Sequence, residues 1–121
     1  MIKLKAKKEI YKIWNCITLD TKDNLYFCGK DQELGSWDYP GVYSLDSNLN
    51  TRWFIDDICG TRPVVSLDGT IYSVHSDMLY AVNQDGNISW SFNTAENQIG
   101  SILTFSVGVD GSLYLNSGGS L

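Results

Sequence analysis

The sequence has a single histidine, few basic residues and no long apolar run, and each shortage argues against a class of function. With His75 alone, histidine-based catalytic triads and multi-histidine metal sites would need a second chain. Nine basic side chains stand against 14 acidic ones, for a net charge of -5, whereas nucleic-acid surfaces neutralise phosphates with lysine and arginine. Charges interrupt the apolar residues at the N-terminus, so neither a signal peptide nor a membrane span is predicted. We expect a cytoplasmic protein without a nucleic-acid partner; an extracellular location stays open if the chain is a fragment.

Sequence patterns typical of cofactor sites are also missing. Cys16, Cys28 and Cys59 have no metal-type spacing, and three cysteines are not a disulfide framework. Because free cysteine often packs as a small apolar side chain, we expect buried, reduced thiols. No glycine pattern resembles a phosphate loop. The sequence therefore predicts no metal, no cofactor and no catalytic residue.

What the sequence does contain is a repeat of roughly forty residues. The clearest copy divides into four β-rich runs at residues 63–66, 70–74, 78–83 and 88–92. Short turn sequences separate the runs, and two of them contain Asp-Gly, which tolerates the positive backbone φ of hairpin turns. This copy is predicted to be an up-and-down, four-stranded antiparallel meander.

Aromatic residues recur at matching positions of the unit. Three tyrosines lie 46 and 42 residues apart, and a second tyrosine pair and a tryptophan pair are each separated by 37 residues. These spacings superimpose about three copies of the unit. The residues predicted to be structural landmarks of the repeat are Trp14, Trp53, Trp90, Tyr26, Tyr72, Tyr114, Tyr43, Tyr80, Gly69, Gly86 and Gly111.

Lettering the four strands A to D shows that the repeat begins in the middle of a unit. The predicted order is strands C and D in residues 1–14, complete units in residues 15–57 and 58–94, and strands A and B in residues 95–121. For residues 2–14 an amphipathic helix is the alternative, because the apolar residues there also suit a 3.6-residue period. Alternation of apolar residues with lysines at period two favours strands.

The second unit resembles the PQQ-like (pyrroloquinoline-quinone-type) β-propeller repeat. Its residues that carry the likeness are Pro63, Asp68, Gly69, Tyr72, Leu79, Tyr80, Ala81, Asp85, Gly86 and Trp90. The resemblance implies an all-β fold of four-stranded antiparallel blades, about three per chain, with tryptophans that pack blade against blade. It implies no bound quinone, because in the family the cofactor lies on the axis of a complete ring and is covered by an adjacent cysteine pair that this chain lacks.

About three units imply a partner. Propellers close with roughly four to eight blades, and each blade buries its faces only against its neighbours. We predict a homodimer of six blades, in which the N-terminal strands of one chain complete the blade begun by the C-terminal strands of the other. The alternative is that residues 1–121 are part of a longer propeller, an enzyme or a surface receptor, whose functional residues lie elsewhere. A basic arm suits contact with an acidic partner chain, and five of the nine basic residues are Lys3, Lys5, Lys7, Lys8 and Lys12.

The insertion at residues 29–41 is the candidate binding loop, because it interrupts the first unit between strands B and C. Loops on a rigid scaffold often carry binding. Trp37, Asp38 and Tyr39 combine aromatic and acidic side chains in a way that suits a protein or carbohydrate ligand. The alternative is that Trp37 packs on the neighbouring blade. Asp23, Asp68, Asp85 and Asp110 recur at hairpin turns, so turn formation explains them better than catalysis, and we predict a non-enzymatic interaction scaffold.

Overall fold

The computed structural model describes residues 11–13, 17–31, 41–60, 62–96 and 104–116 of the 121-residue chain. Within these ranges the chain forms eleven β-strands in three antiparallel sheets and no helix. The prediction of an all-β chain is therefore confirmed for the described residues. None of them forms a helix that is long and apolar enough to cross a membrane.

The first sheet is built on a long central strand. Its strands are β1 (Tyr11–Ile13), β2 (Thr18–Leu19), β3 (Leu25–Asp31), β4 (Gly41–Leu45) and β5 (Thr51–Ile55). β3, β4 and β5 form a meander, while β1 and β2 both pair with the other edge of β3.

The position of β1 differs from the prediction. A strand is found over Tyr11–Ile13, so for these residues the helical alternative is wrong. They pair with Gly29–Asp31 of β3, however, and so extend the first sheet instead of forming the last strand of a separate blade. The reason is that β3 continues to Asp31, into the predicted insertion of residues 29–41, which gives β1 backbone groups to pair with. Residues 1–10, which hold the other strand of that predicted pair, lie outside the described residues.

The second sheet is the clearest four-stranded meander. Its order is β6 (Val64–Val65), β7 (Ile71–His75), β8 (Met78–Val82) and β9 (Ile88–Asn93). Each strand lies within two residues of its predicted run. His75 was predicted to lie in the turn between the runs 70–74 and 78–83, but it ends β7 and pairs with Met78 around a two-residue turn.

The third sheet has two described strands, β10 (Thr104–Val107) and β11 (Leu113–Asn116), which match the predicted strands A and B. The three sheets are connected in sequence order through β2, β6 and β10, one strand from each sheet. β6 of the second sheet contacts β2 of the first sheet and β10 of the third. Thr18 of β2 also donates a hydrogen bond from Oγ1 to the Pro63 carbonyl, at 2.9 Å.

Five hairpin turns share one backbone geometry: residues 20–24, 46–50, 66–70, 83–87 and 108–112. In each, the first N–H donates to the fifth carbonyl and the fourth N–H donates to the first carbonyl. This is the arrangement of a type I turn followed by a left-handed residue, which explains why glycine is common there. The fourth residues and their φ angles are Asp23 (63°), Leu49 (67°), Gly69 (90°), Gly86 (84°) and Gly111 (87°).

Apolar side chains stack the sheets face to face. Because successive side chains of a strand point to opposite faces, Tyr26 packs toward the second sheet while Phe27 lies in the cluster on the other face. The second sheet uses Ile71 against the first sheet and Tyr72 against the third. The core is thus divided between the two junctions and the outer face of the first sheet.

A disulfide joins Cys28 in β3 to Cys59 in the connection between the first two sheets. The two Cα atoms are 5.7 Å apart, a usual separation for a disulfide. Burial of both residues was predicted correctly, but the prediction of reduced thiols is wrong for this pair. The connection folds Cys59 back against β3, although 31 positions separate the two residues in sequence. The Cys16 side chain lies outside the described residues.

Candidate interaction surface

The junction between the first and second sheets is closed by a tryptophan that reaches a turn. Trp53 of β5 donates a hydrogen bond from its indole Nε1 to the Gln84 carbonyl, at 3.0 Å. The ring lies directly against Gly86, where an added Cβ would be only 2.7 Å from the Trp53 Cγ atom. Glycine is therefore needed at this turn position both for its positive φ and for the close approach of the indole.

Arg52, the neighbour of Trp53, ties the same turn to the first sheet. Its guanidinium donates to the Tyr26 hydroxyl at 3.0 Å and to Ser44 Oγ at 2.8 Å. It also donates to the Gln84 carbonyl at 3.0 Å and to Gln84 Oε1 at 2.9 Å. The Gln84 Nε2 group in turn donates to the Gly69 carbonyl at 2.6 Å. Gln84 thus joins the 66–70 and 83–87 turns of the second sheet to two strands of the first.

The network ends at a carboxylate in the first turn. The Tyr26 hydroxyl donates to Asp20 Oδ2 at 2.8 Å, and burial, with this bond, raises the pKa of Tyr26. Partial burial alone would raise the pKa of Asp20, but hydrogen bonds from Asn24, Tyr26 and Lys22 outweigh it and hold that pKa below its ordinary value. Asp20 is therefore an ionised acceptor within its own turn and its own sheet.

The second sheet has an equivalent tryptophan, Trp90, but no turn like the 83–87 turn lies over it among the described residues. Trp90 pairs with Ala81 across β8 and β9 as Trp53 pairs with Ser44 across β4 and β5, and both pairs adjoin a register shift. Its ring centroid lies 6.0 Å from that of Tyr72, close to the 5.9 Å between Trp53 and Tyr26. Trp90 nevertheless keeps 44% of its surface exposed. We call the exposed surface of Trp90 the Trp90 face.

Exposure of the equivalent tyrosines rises along the chain. Tyr26 is 0% exposed, Tyr72 is 9% exposed and Tyr114 is 64% exposed. The turn glycines follow the same trend, because a Cβ on Gly69 would meet the Gln84 side chain at 3.2 Å, whereas one on Gly111 would meet nothing within 4 Å. The first sheet is covered by the second and the second in part by the third, and the described part of the third sheet has two strands where the second has four.

A polar cleft of about 130 Å³ lies between the 20–24 and 66–70 turns, beside Gln84. Its carboxylates hold their own turns: Asp68 Oδ1 accepts the Thr70 N–H at 2.9 Å and also the Ser66 hydroxyl. These bonds hold the pKa of Asp68 below its ordinary value. No group of three metal-ligating side chains occurs among the residues the structure describes. The aspartates that line the cleft therefore stabilise the turns to which they belong.

The predicted binding loop contributes only its ends to the described structure. Gly29–Asp31 belong to β3 and Gly41 begins β4, while Trp37, Asp38 and Tyr39 lie outside the described residues, as does the Trp14 side chain. Of the remaining landmarks, Tyr43 is buried and stacked between two phenylalanines, and Tyr80 packs at the first junction.

Sequence reasoning missed Arg52 and Gln84, which organise the junction. Both flank predicted landmarks, since Arg52 precedes Trp53 and Gln84 lies two residues before Gly86. The second unit has Ser89 and not arginine beside its tryptophan, so the repeat pattern gave Arg52 no emphasis. Only the approach of the neighbouring sheet reveals what the two side chains do.

No protein-family model matches the sequence, and no curated protein matches it. The internal repeat therefore supplies the useful comparison, in which the covered Trp53 junction indicates what the Trp90 face lacks.

Proposed function

We propose that the chain is a non-enzymatic β-propeller module of the PQQ-like type, an interaction scaffold that assembles with a second copy of itself. The observation that carries the proposal is the contrast between Trp53, covered by the 83–87 turn, and Trp90, which is 44% exposed at the same register. Large exposed aromatic side chains beside an open sheet are typical of interaction sites. The use of turn aspartates as backbone acceptors supports a role without catalysis.

The covered junction indicates which kind of element fits the Trp90 face. There the cover is the turn of a β-hairpin, whose carbonyl accepts the indole N–H and whose glycine admits the ring. Among the described strands, β11 pairs with β10, and addition of an antiparallel strand to a sheet is a recurrent way of binding a partner segment. A hairpin along β11 would place its turn over Trp90.

The N-terminal segment of a second copy is the occupant we favour, because its charge is complementary. Residues 1–12 carry five lysines and one glutamate, which leaves four basic against thirteen acidic side chains in residues 13–121. Opposite charges steer association and fix its register. Since Tyr11–Ile13 pair with β3 of their own chain, assembly exchanges this three-residue pairing for pairing in the partner, as in domain swapping.

Light scattering on the purified protein tests the proposal. We expect a particle of about 27 kDa, twice the chain mass of 13.5 kDa, and a smaller fraction of it at high salt because screening weakens the charge attraction. Trp90→Lys should give a folded monomer, since it puts a charge at the centre of the face. Val109→Lys, at an exposed apolar turn residue outside the face, should remain dimeric. A wild-type monomer at high micromolar concentration, or a dimeric Trp90→Lys variant, would contradict the proposal.

A second candidate is a longer propeller in which the same chain supplies the covering hairpin. The exposed Trp90 face favours it equally, because a further unit of the same polypeptide would bury the same side chains. The coding sequence after codon 121 distinguishes the two: further Asp-Gly and tryptophan repeats in frame would favour the longer protein, whose activity would then depend on other residues.

The insertion loop is a separate proposal for ligand binding. If Trp37 contacts a protein or carbohydrate ligand, Trp37→Ala should change the free energy of unfolding by less than about 0.5 kcal/mol. A loss of about 3 kcal/mol or more would instead indicate that the indole packs in the core. Denaturant unfolding of the two proteins decides between these roles.

A further inference from the structure

The Cys28–Cys59 disulfide crosses the junction between the first two sheets. Cys28 belongs to β3, and Cys59 lies in the connection that leads to the second sheet. That connection is itself attached to β7: Ser73 Oγ donates to the Ile58 carbonyl at 2.5 Å, and the Gly60 N–H donates to the Val74 carbonyl at 2.6 Å. The disulfide therefore completes a path from the centre of one sheet to the centre of the next.

Side chains of both sheets enclose the disulfide. Tyr26 and Val42 of the first sheet and Ile71 of the second belong to the same buried cluster as the two cysteines. Thiol–disulfide exchange requires a thiolate to reach a sulfur atom, so a soluble thiol can attack only when the sheets separate. The Arg52–Gln84 hydrogen bonds span the same junction and must break in the same opening.

We propose that the Cys28–Cys59 disulfide is a redox lock on this junction. In the oxidised chain the first two sheets behave as one body, and in the reduced chain they separate independently of global unfolding. Closing the lock forms one S–S bond and removes two electrons and two protons from the two thiols; a low-molecular-weight disulfide such as oxidised glutathione accepts them and becomes two thiols. Opening it runs the same exchange in reverse with a dithiol reductant. The lock concerns the covered junction and does not depend on what covers the Trp90 face.

Counting thiols in the full-length chain tests the chemistry. After equilibration with oxidised glutathione and removal of the excess, the protein is denatured with iodoacetamide and analysed by mass spectrometry. We expect Cys28 and Cys59 in one linked peptide and unlabelled, and both labelled after reduction. The Cys16→Ser variant should give the same linked peptide, which shows that Cys16 takes no part. Alkylation of Cys28 and Cys59 in the oxidised sample would overturn the proposal.

Hydrogen exchange tests the lock itself. Reduction should accelerate exchange of the Gly60 amide on the order of a hundredfold, because its bond to the Val74 carbonyl crosses the junction and the covalent limit on opening is removed. Amides of β10 and β11 should change much less. A Cys28→Ser, Cys59→Ser double variant should exchange like the reduced chain in both oxidising and reducing buffer. Equal exchange at the junction in the oxidised and reduced proteins would overturn the lock even if the disulfide forms.

Discussion

Trp53 and Trp90 occupy the same position in two successive sheets, and their surroundings differ. Over Trp53 lies a turn that supplies a carbonyl, a glycine and the Gln84 side chain, whereas Trp90 retains its tyrosine neighbour but has almost half of its surface exposed. The comparison teaches that a unit of this chain does not bury its own tryptophan. Burial comes from the next unit, as expected for repeat proteins that are stabilised by nearest-neighbour interfaces.

Removing each indole should give the largest difference between the two sites. We expect Trp53→Ala to lower the free energy of unfolding by about 3 kcal/mol, through lost packing and the lost bond to the Gln84 carbonyl. In a monomeric background Trp90→Ala should cost about 1 kcal/mol, because much of the ring is already in water. Denaturant unfolding at a low protein concentration measures both. Equal costs would mean that the Trp90 face is covered within the chain.

Adding a methyl group to the turn glycines separates backbone strain from contact with the indole. Gly86→Ala and Gly111→Ala impose similar strain, since the φ angles are 84° and 87°, at about 1–2 kcal/mol each. Only the methyl of Gly86→Ala meets the Trp53 ring, so this variant should lose about 1–3 kcal/mol more than Gly111→Ala. Similar losses, measured by urea unfolding, would contradict the close approach of the indole.

Replacing Arg52 by serine gives the first unit the residue found beside Trp90. Four hydrogen bonds are lost, and buried oxygens lose a donor, so Arg52→Ser should cost about 2 kcal/mol. Arg62→Ser, at an exposed position, is the matched control and should cost less than about 0.5 kcal/mol. If the two variants unfold at the same urea concentration, the Arg52 network does not hold the junction.

Protonation of Asp20 at acid pH should destabilise the junction between the first and second sheets. The pKa of Asp20 is lowered in the folded chain, so its contribution is present above the ordinary value of 3.8 and is lost as the pH falls through the folded pKa. Asp20→Asn should therefore flatten the dependence of stability on pH below about 4. Asp110→Asn is the control, because Asp110 accepts the Ser112 N–H in an equivalent turn and not a tyrosine hydroxyl as Asp20 does. This variant should leave hydrogen exchange of the Tyr26 amide at low pH unaffected. Identical effects of the two variants on that amide would contradict the link from Asp20 to Tyr26.

Local features of this fold were predictable, and contacts between sheets were not. Asp-Gly pairs and alternating apolar residues located β6 to β9 within two residues, because hairpins depend on neighbours in sequence. The disulfide, the extra length of β3 and the Arg52–Gln84 bonds depend on residues that are distant in sequence. Three cysteines did not indicate a disulfide, because their number is odd. The repeat did not indicate the Arg52 bonds, because the second unit has Ser89 at the position of Arg52.

Oxidative footprinting of the two tryptophans tests the central claim most directly, because mass spectrometry reads Trp53 and Trp90 separately in one sample. Hydroxyl radicals modify indoles in proportion to their exposure to solvent, so a protein concentration series reports what assembly covers. We predict that modification of Trp90 is slow at high micromolar concentration and rises on dilution, while modification of Trp53 stays constant. A Trp90 rate that is high and constant at every concentration would contradict the assembly of two copies through this face.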